Sequence, residues 1–430
     1  MVGSMALFGH KRSPAPPPAP EPEPTLPAAP EPGPLGLRTV DDQRDYLLSM
    51  VEPLMPFGMR LLDAWGLSLC EDLTAEGDLP AVPEAECDGY AVIATDLEEP
   101  SATSATKLAI RSDVHKVGAA VPVLAGQPLP EGADAVLPLT DGTADSGVLL
   151  VRRAVRSGEH VRAVGADAAD GEVLVESGRR LDARIIGLLA GAGFDKVFCR
   201  PRPRVVVLAV GESRPGVGVV ELDAAQRRDA ASHMIAAAAK ADGAQVWREV
   251  IPGDDPAAVA ETVSDQLIRA DLLVACGGMA GGPEGLMGQA LAGLGPVEFT
   301  DVAMAPGGQQ GFGLIGQDQI PLLMLPSAPT AAYAAYQVFG RAMVRKLMGA
   351  RHVVPELISC ILDAPVTSQD GVFELVPGRL RREAEALHVR PLSGAGGLDV
   401  LTDADVLIAV PGDVTGLAAG RVAHCWRAAD

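Results

Sequence analysis

Pro83-Glu84-Ala85-Glu86-Cys87-Asp88-Gly89-Tyr90-Ala91-Val92 is the stretch on which the reading of this chain turns. An acid, a glycine and an aromatic stand together where an apolar run, Tyr90-Ala91-Val92-Ile93, begins. Asp88-Gly89 reads as a tight turn opening a strand, because glycine tolerates positive φ and aspartate can bond its own backbone. A lone Asp-Gly says no more than that. Its weight comes from the company it keeps.

Around it, residues 81–154 alternate short apolar runs with turn signals, the pattern of a small β domain. Tyr90–Ala94, Lys107–Ile110, Val121–Ala125, Ala135–Leu139 and Val148–Arg152 are its expected strands. Two further blocks stand out: Gly126-Gln127-Pro128-Leu129-Pro130-Glu131-Gly132-Ala133-Asp134-Ala135-Val136, and Arg162-Ala163-Val164-Gly165-Ala166-Asp167. A helix is expected at Ala183–Ala192, returning to the part that precedes the β domain, so that domain is an insertion.

From Pro203 the period changes. Arg204–Val210 is a continuous apolar, β-branched run, as expected of a strand buried on both faces. A helix carrying Met234 and Ile235, strand Ala244–Val250, helix Pro256–Arg269 and strand Leu272–Ala275 follow, and Thr330–Met348 reads as the closing helix. Such alternation predicts a parallel sheet with right-handed crossovers. Ligands of these sheets lie beyond the carboxyl ends of the strands, so the loops at Gly211 and Gly277 are the candidate site. Strand-like runs at Leu357–Leu362, Val372–Val376, Val406–Val410 and Arg421–Trp426 predict a second small β domain.

Composition narrows the class. The 430 residues are 48% apolar with only 3% aromatics, which predicts Ala/Val/Leu interiors in two to four domains. A net charge of −21 argues against nucleic acid or an anionic membrane surface as the main partner. The six cysteines (Cys70, Cys87, Cys199, Cys276, Cys360, Cys425) form no zinc-spaced pair and are expected as reduced thiols. No 18-residue apolar run and no signal-peptide core is present, so a cytoplasmic protein without direct membrane insertion is expected. At the N-terminus, residues 11–34 are a Pro/Ala/Glu tract expected to be an extended spacer or a ligand for a proline-reading domain. Ordered structure is expected from about Leu37, with Thr39 or Asp41 capping a helix through Leu54.

The three blocks resemble the MoeA/gephyrin E-domain family, which inserts molybdenum into molybdopterin. Cys87 to Ala91 follow the second half of its Asp-Asn-Ser-Ala-Met-Asp-Gly-Tyr-Ala signature, and Pro83 to Glu86 replace the first half. The resemblance runs over roughly residues 38–430. It implies an α/β multidomain fold: an elongated homodimer with a helical linker domain, an inserted β domain, a central parallel-sheet MogA-like domain and a C-terminal β barrel. The corresponding boundaries here are a disordered arm at 1–36, the linker domain at 37–80 and 155–195, the insertion at 81–154, the α/β domain at 196–350 and the last domain at 351–430. In the family the site lies between the α/β domain of one subunit and the β insertion of its partner.

The resemblance also implies site residues. Asp88, Glu212 and Asp229 would be catalytic, with Glu212 and Asp229 holding Mg2+. Molybdopterin would be held by Arg162, Asp167, Gly277, Gly278, Gly282 and Ser327.

Several polar groups of the family pattern are absent. Its Gly-Asp-Glu-Leu is Gly211-Glu212-Ser213-Arg214 here, and its Asp-Ser-Asn is Asp229-Ala230-Ala231. The loop resembling Ser-Gly-Gly-Val-Ser-Val-Gly reads Cys276-Gly277-Gly278-Met279-Ala280-Gly281-Gly282, keeping glycines that can cradle an anion but losing hydroxyls. Pro-Gly-Lys-Pro becomes Pro306-Gly307-Gly308-Gln309, and Leu-Pro-Gly-Asn-Pro becomes Leu325-Pro326-Ser327-Ala328-Pro329. Losing one charge-assisted hydrogen bond costs roughly 1.5–3 kcal/mol. Turn-forming residues persist while ligand-binding ones are lost. Two functions fit that pattern. One is a molybdopterin molybdenumtransferase whose turnover is weak or lost. The other is a gephyrin-like dimeric scaffold binding a linear peptide at its C-terminal β domain, for example from a cell-division protein such as FtsZ.

Overall fold

The apolar run Arg204–Val210 is a strand of a six-stranded sheet, paired in parallel with Gln245–Ile251 on one side and Leu272–Cys276 on the other. This computed structural model describes residues 25–33, 35–97, 106–111, 117–210, 229–251, 255–354, 356–383, 385–392 and 397–428. Alternate residues of the strand serve opposite faces, as a pleat requires. Val205 and Val207 join a core with helices Val40–Ser49 and Ala230–Ala241 and the helical run from Pro329 to Leu347. Val206, Leu208 and Val210 pack instead with helices Pro256–Leu267 and Leu286–Leu291. The result is three layers.

Ile320–Leu325 continues the parallel part of the sheet, and two antiparallel strands, Gln309–Ile315 and Val297–Asp301, complete the far edge. These edge strands add to the parallel sheet read from the sequence. A four-residue connection at 316–319, with Gly316 at φ 75° and Gln319 at φ 50°, is too short for a crossover and forces antiparallel return. Among the described residues Val297–Asp301 is the outermost strand on that side, met at its end by a single parallel bridge between Arg38 and Val302.

Thr39 caps the first helix, its hydroxyl accepting from the Asp42 amide at 3.1 Å, but the helix stops at Ser49 rather than reaching Leu54. A second core joins Leu61, Leu67 and Leu69 with Leu181, Leu189 and Val197, so the chain between leaves that unit and returns to it. The intervening segment builds a six-stranded sheet in the order Ala135–Pro138, Gly89–Val92, Ala119–Val123, Lys107–Ile110, Val148–Val151, Gly142–Asp145.

The C-terminal strands close on themselves. Phe373–Glu383 pairs with Ala386–Pro391, then Ile358–Leu362, Val422–Arg427 and Val406–Val410 follow, and the last pairs back to the first. Met304–Ala305 adds to this barrel from the α/β unit by pairing with Phe373 and Glu374. Among the described residues no helix is long and apolar enough to cross a membrane. All six cysteines are free.

Candidate functional site

The carboxyl ends of Leu272–Cys276 and Ile320–Leu325 lie side by side, with the end of Arg204–Val210 next to the first. The chain leaves Cys276 through Gly277 (φ 93°) and Gly278 (φ 74°), backbone that a side chain would strain. Space forbids one as well: a Cβ on Gly278 would lie 2.7 Å from Val210 Cγ1 and 2.8 Å from Met287 Cγ. The loop then coils on itself, the Gly282 amide donating to Met279 O at 3.0 Å and the Gly285 amide to Gly282 O at 3.0 Å. Among the described residues the amides of Gly278, Met279, Ala280 and Gly281 have no acceptor. Ser327, exposed in the turn after Leu325, sits against Gly277, 3.6 Å from where a Cβ there would be. Gly277, Gly278, Gly282 and Ser327 therefore share one end of the sheet. A cleft of about 570 Å³ opens beside the loop, where Met279 and Gly282 meet Glu298–Asp301, Gln309 and Gln310.

Asp229 opens helix Ala230–Ala241 and is occupied by its own fold. Its carboxylate accepts from the Ser232 amide at 2.8 Å, from the Ser232 hydroxyl, and from Arg248 Nη2 at 2.6 Å. Arg248 reaches it from the middle of strand Gln245–Ile251 and also donates to Ser232 Oγ at 2.5 Å. Burial pushes the Asp229 carboxyl up, but the Ser232 and Arg248 contacts together outweigh it and hold it below its usual value. Burial likewise pushes the neighbouring Cys276 thiol up to about 12. Glu212 lies outside the described residues, as does the rest of 211–228. Among the described residues no three carboxylate, histidine or cysteine groups converge as a metal site. Asp229, the one expected magnesium ligand among the described residues, is already bonded to Ser232 and Arg248.

Asp88, Arg162 and Asp167 stand on the β insertion and its stem. Arg162 belongs to a two-residue strand, Val161–Arg162, paired with Glu84–Ala85. Its guanidinium bonds Asp167 and reaches Glu84 at 3.3 Å; the bond to Asp167 is the main reason its pKa is raised. Asp88 Oδ1 accepts from the Ala125 amide at 2.8 Å, tying two loops together. Gly89 is not in the left-handed region, contrary to the turn expected at Asp88-Gly89. It is the first residue of a strand, and glycine is needed because a Cβ would lie 2.2 Å from Leu137 O.

Where the family pattern has lysine, the structure explains glycine. A Cβ on Gly308 would lie 2.5 Å from Val302 O and 2.8 Å from Met304 O. Ser232 and Arg248 were missed from sequence. Serine three residues after an acidic helix cap is a legible capping signal. An arginine between Val246 and Val250 in a strand carries no motif.

The family description "MoeA N-terminal region (domain I and II)" matches residues 38–193, "Probable molybdopterin binding domain" matches 207–346, and "MoeA C-terminal region (domain IV)" matches 360–426. Molybdopterin molybdenumtransferase 1 of Mycobacterium tuberculosis is 32% identical over 425 residues, covering 90% of this chain and 98% of that protein. Molybdopterin molybdenumtransferase 2 of the same organism is 29% identical over 91% of this chain and 99% of its own length. The molybdopterin biosynthesis MoeA protein of Pyrococcus horikoshii shares the fold at a TM-score of 0.72 and 22% identity, over 91% of this chain and 100% of that one. With its three regions matched in order around the glycine loop, the chain belongs to the MoeA family.

Proposed function

We propose that this chain acts in cytoplasmic molybdenum cofactor biosynthesis, holding adenylylated molybdopterin on the Gly277–Gly282 loop and inserting molybdate slowly or not at all. The observation that carries this reading is the loop itself. Its positive-φ glycines hold the amides of Gly278, Met279, Ala280 and Gly281, which have no acceptor among the described residues, at the carboxyl end of the sheet, a backbone nest suited to phosphate oxygens. Ser327 adds a hydroxyl beside it. Weak turnover is supported by Asp229, whose carboxylate is consumed by Ser232 and Arg248, and by Gly308, which leaves no lysine for an anion. Arg162, Asp167 and Asp88 would serve the partner's loop in a homodimer. Calorimetry with adenylylated molybdopterin, followed by an assay of molybdate-dependent AMP release, tests the reading. Binding with little release is expected, and absence of binding overturns it.

A second reading is a non-catalytic scaffold that binds a partner's peptide at the C-terminal barrel. The engagement of Asp229 favours it, since the loss there touches chemistry and leaves the fold intact. Pull-down of a partner that depends on residues 351–430, from a chain that binds no pterin, would establish it over the first.

A further inference from the structure

The proline-rich tract reaches the glycine loop. Ala29–Pro32 and Gly36–Arg38 line the same cleft as Met279, Gly282 and Glu298–Asp301 of the edge strand Val297–Asp301. We propose that residues 25–33 and 35–38 form a strap that closes this cleft, and that access to the loop requires the strap to lift.

The two ends of the strap are held very differently. At Arg38 the attachment is firm. The Arg38 amide donates to Asp301 O at 3.3 Å, and Arg38 O accepts from the Ala303 amide at 2.8 Å. Its guanidinium is 5.4 Å from the Tyr46 ring centroid, donates to Gln43 Oε1 at 3.1 Å and bonds Glu298. A backbone turn follows, with the Gly33 amide donating to Leu37 O at 2.8 Å and the Gly36 amide to Gly33 O at 2.9 Å. Beyond it the hold among the described residues is slight: one bond from the Tyr46 hydroxyl to Pro27 O at 3.3 Å, and Leu26 packed against the main core while only partly buried.

Between these points the strap covers a sheet edge without joining it. Among the described residues no backbone bond joins 25–33 to Val297–Asp301, and Pro27, Pro30 and Pro32 have no amide hydrogen to donate to that ladder. Covering without pairing makes a reversible closure, because few backbone bonds must break to open it. Charge gives the closure a consequence. Glu31, Glu298 and Asp301 line the closed cleft, and the one cation among its lining residues, Arg38, is already bonded to Glu298. An anion entering the closed cleft meets net negative charge, and lifting the strap removes Glu31 from its path. The effect on ligands rests on the loop being the ligand site; the movement of the strap does not.

The test uses the full chain carrying Thr300→Cys on the covered edge. Maleimide labelling of that thiol is followed by peptide mass spectrometry, alone and combined with Leu26→Asp or Tyr46→Phe. Hydrogen exchange over residues 25–38 is read in parallel. Leu26→Asp, which alters only the strap's own anchor, is expected to speed labelling by about tenfold or more, the factor that losing a leucine's contact supplies. Tyr46→Phe gives a smaller acceleration. Labelling of the Thr300→Cys thiol as fast in the parent chain as in an unfolded one overturns the proposal. So does labelling that Leu26→Asp leaves unchanged. AMP serves as the ligand probe and is expected to bind severalfold more tightly with Leu26→Asp. If labelling accelerates while AMP binds neither chain, the strap stands and the loop's ligand role falls.

Discussion

The Arg248 guanidinium donates to the Asp229 carboxylate across 2.6 Å, joining the middle of a strand to the first turn of helix Ala230–Ala241. The Asp229 side chain is only 7% exposed, so the pair is a structural clamp at the place where the family resemblance implies a ligand of magnesium. Replacing Arg248 with methionine leaves the carboxylate buried without its cation. Breaking such a pair costs about 3 kcal/mol. Urea unfolding of Arg248→Met should show a loss of that order, and the double variant with Asp229→Asn should recover part of it. A stability unchanged by Arg248→Met contradicts the clamp.

A deeper pair holds the same helix at its other end. Arg341 Nε lies 2.8 Å from Asp242 Oδ1, with side chains 4% and 7% exposed, and the Tyr336 hydroxyl donates to Asp242 at 2.9 Å. Arg341→Met should cost about 3–5 kcal/mol. Arg204→Ala removes a half-exposed partner of Asp271 and should cost no more than about 1 kcal/mol. Equal losses in denaturant titrations would show that burial does not rank these pairs.

The barrel contains a carboxylate with a distinct titration. Bonds from Arg381, then from His388, lower the Asp363 pKa from its usual 3.8 to about 2. The folded-state value is depressed, so ionised Asp363 adds stability above about pH 4, and that contribution is lost as pH falls through about 2. Side-chain carbonyl NMR should place the midpoint near 2. A midpoint near 4 would contradict the contacts drawn for Arg381 and His388.

Restoring the family's lysine should fail. Gly308→Lys forces a Cβ to within 2.5 Å of Val302 O. Overpacking of this kind costs about 1–3 kcal/mol. A lower Tm with no gain in AMP affinity is expected; tighter binding at unchanged Tm would show that the backbone there yields freely.

How much of this was legible depended on how local the cause was. Arg204–Val210 and Val406–Val410 match their expected bounds because a continuous β-branched run has one reading. Gln309–Ile315 went unread, since Gly311 and Gly313 dilute its pattern and its pairing is set by the hairpin to Ile320–Leu325. Barrel closure between Phe373–Glu383 and Val406–Val410 is a non-local pairing that no window of sequence contains. The site divided in the same way. The glycines of the loop announce its backbone, whereas Arg248 becomes part of the site only when strand and helix are packed. Composition marked residues 11–34 as a spacer, and the contacts of Leu26 and Pro27 depend on Tyr46 and the core beneath them.

The proposed function makes the Gly277–Gly282 loop a working anion cradle in a chain whose Asp229 carboxylate is committed to structure. Gly282→Asp probes it directly, because nothing lies within 4 Å of a Cβ there and aspartate tolerates the φ of 57°. Calorimetric titration of adenylylated molybdopterin should give a Kd of about micromolar for the parent chain. It should be weakened by at least about tenfold in Gly282→Asp, where a carboxylate faces the phosphate. Equal affinity in the two chains, or no binding to either, would contradict the account.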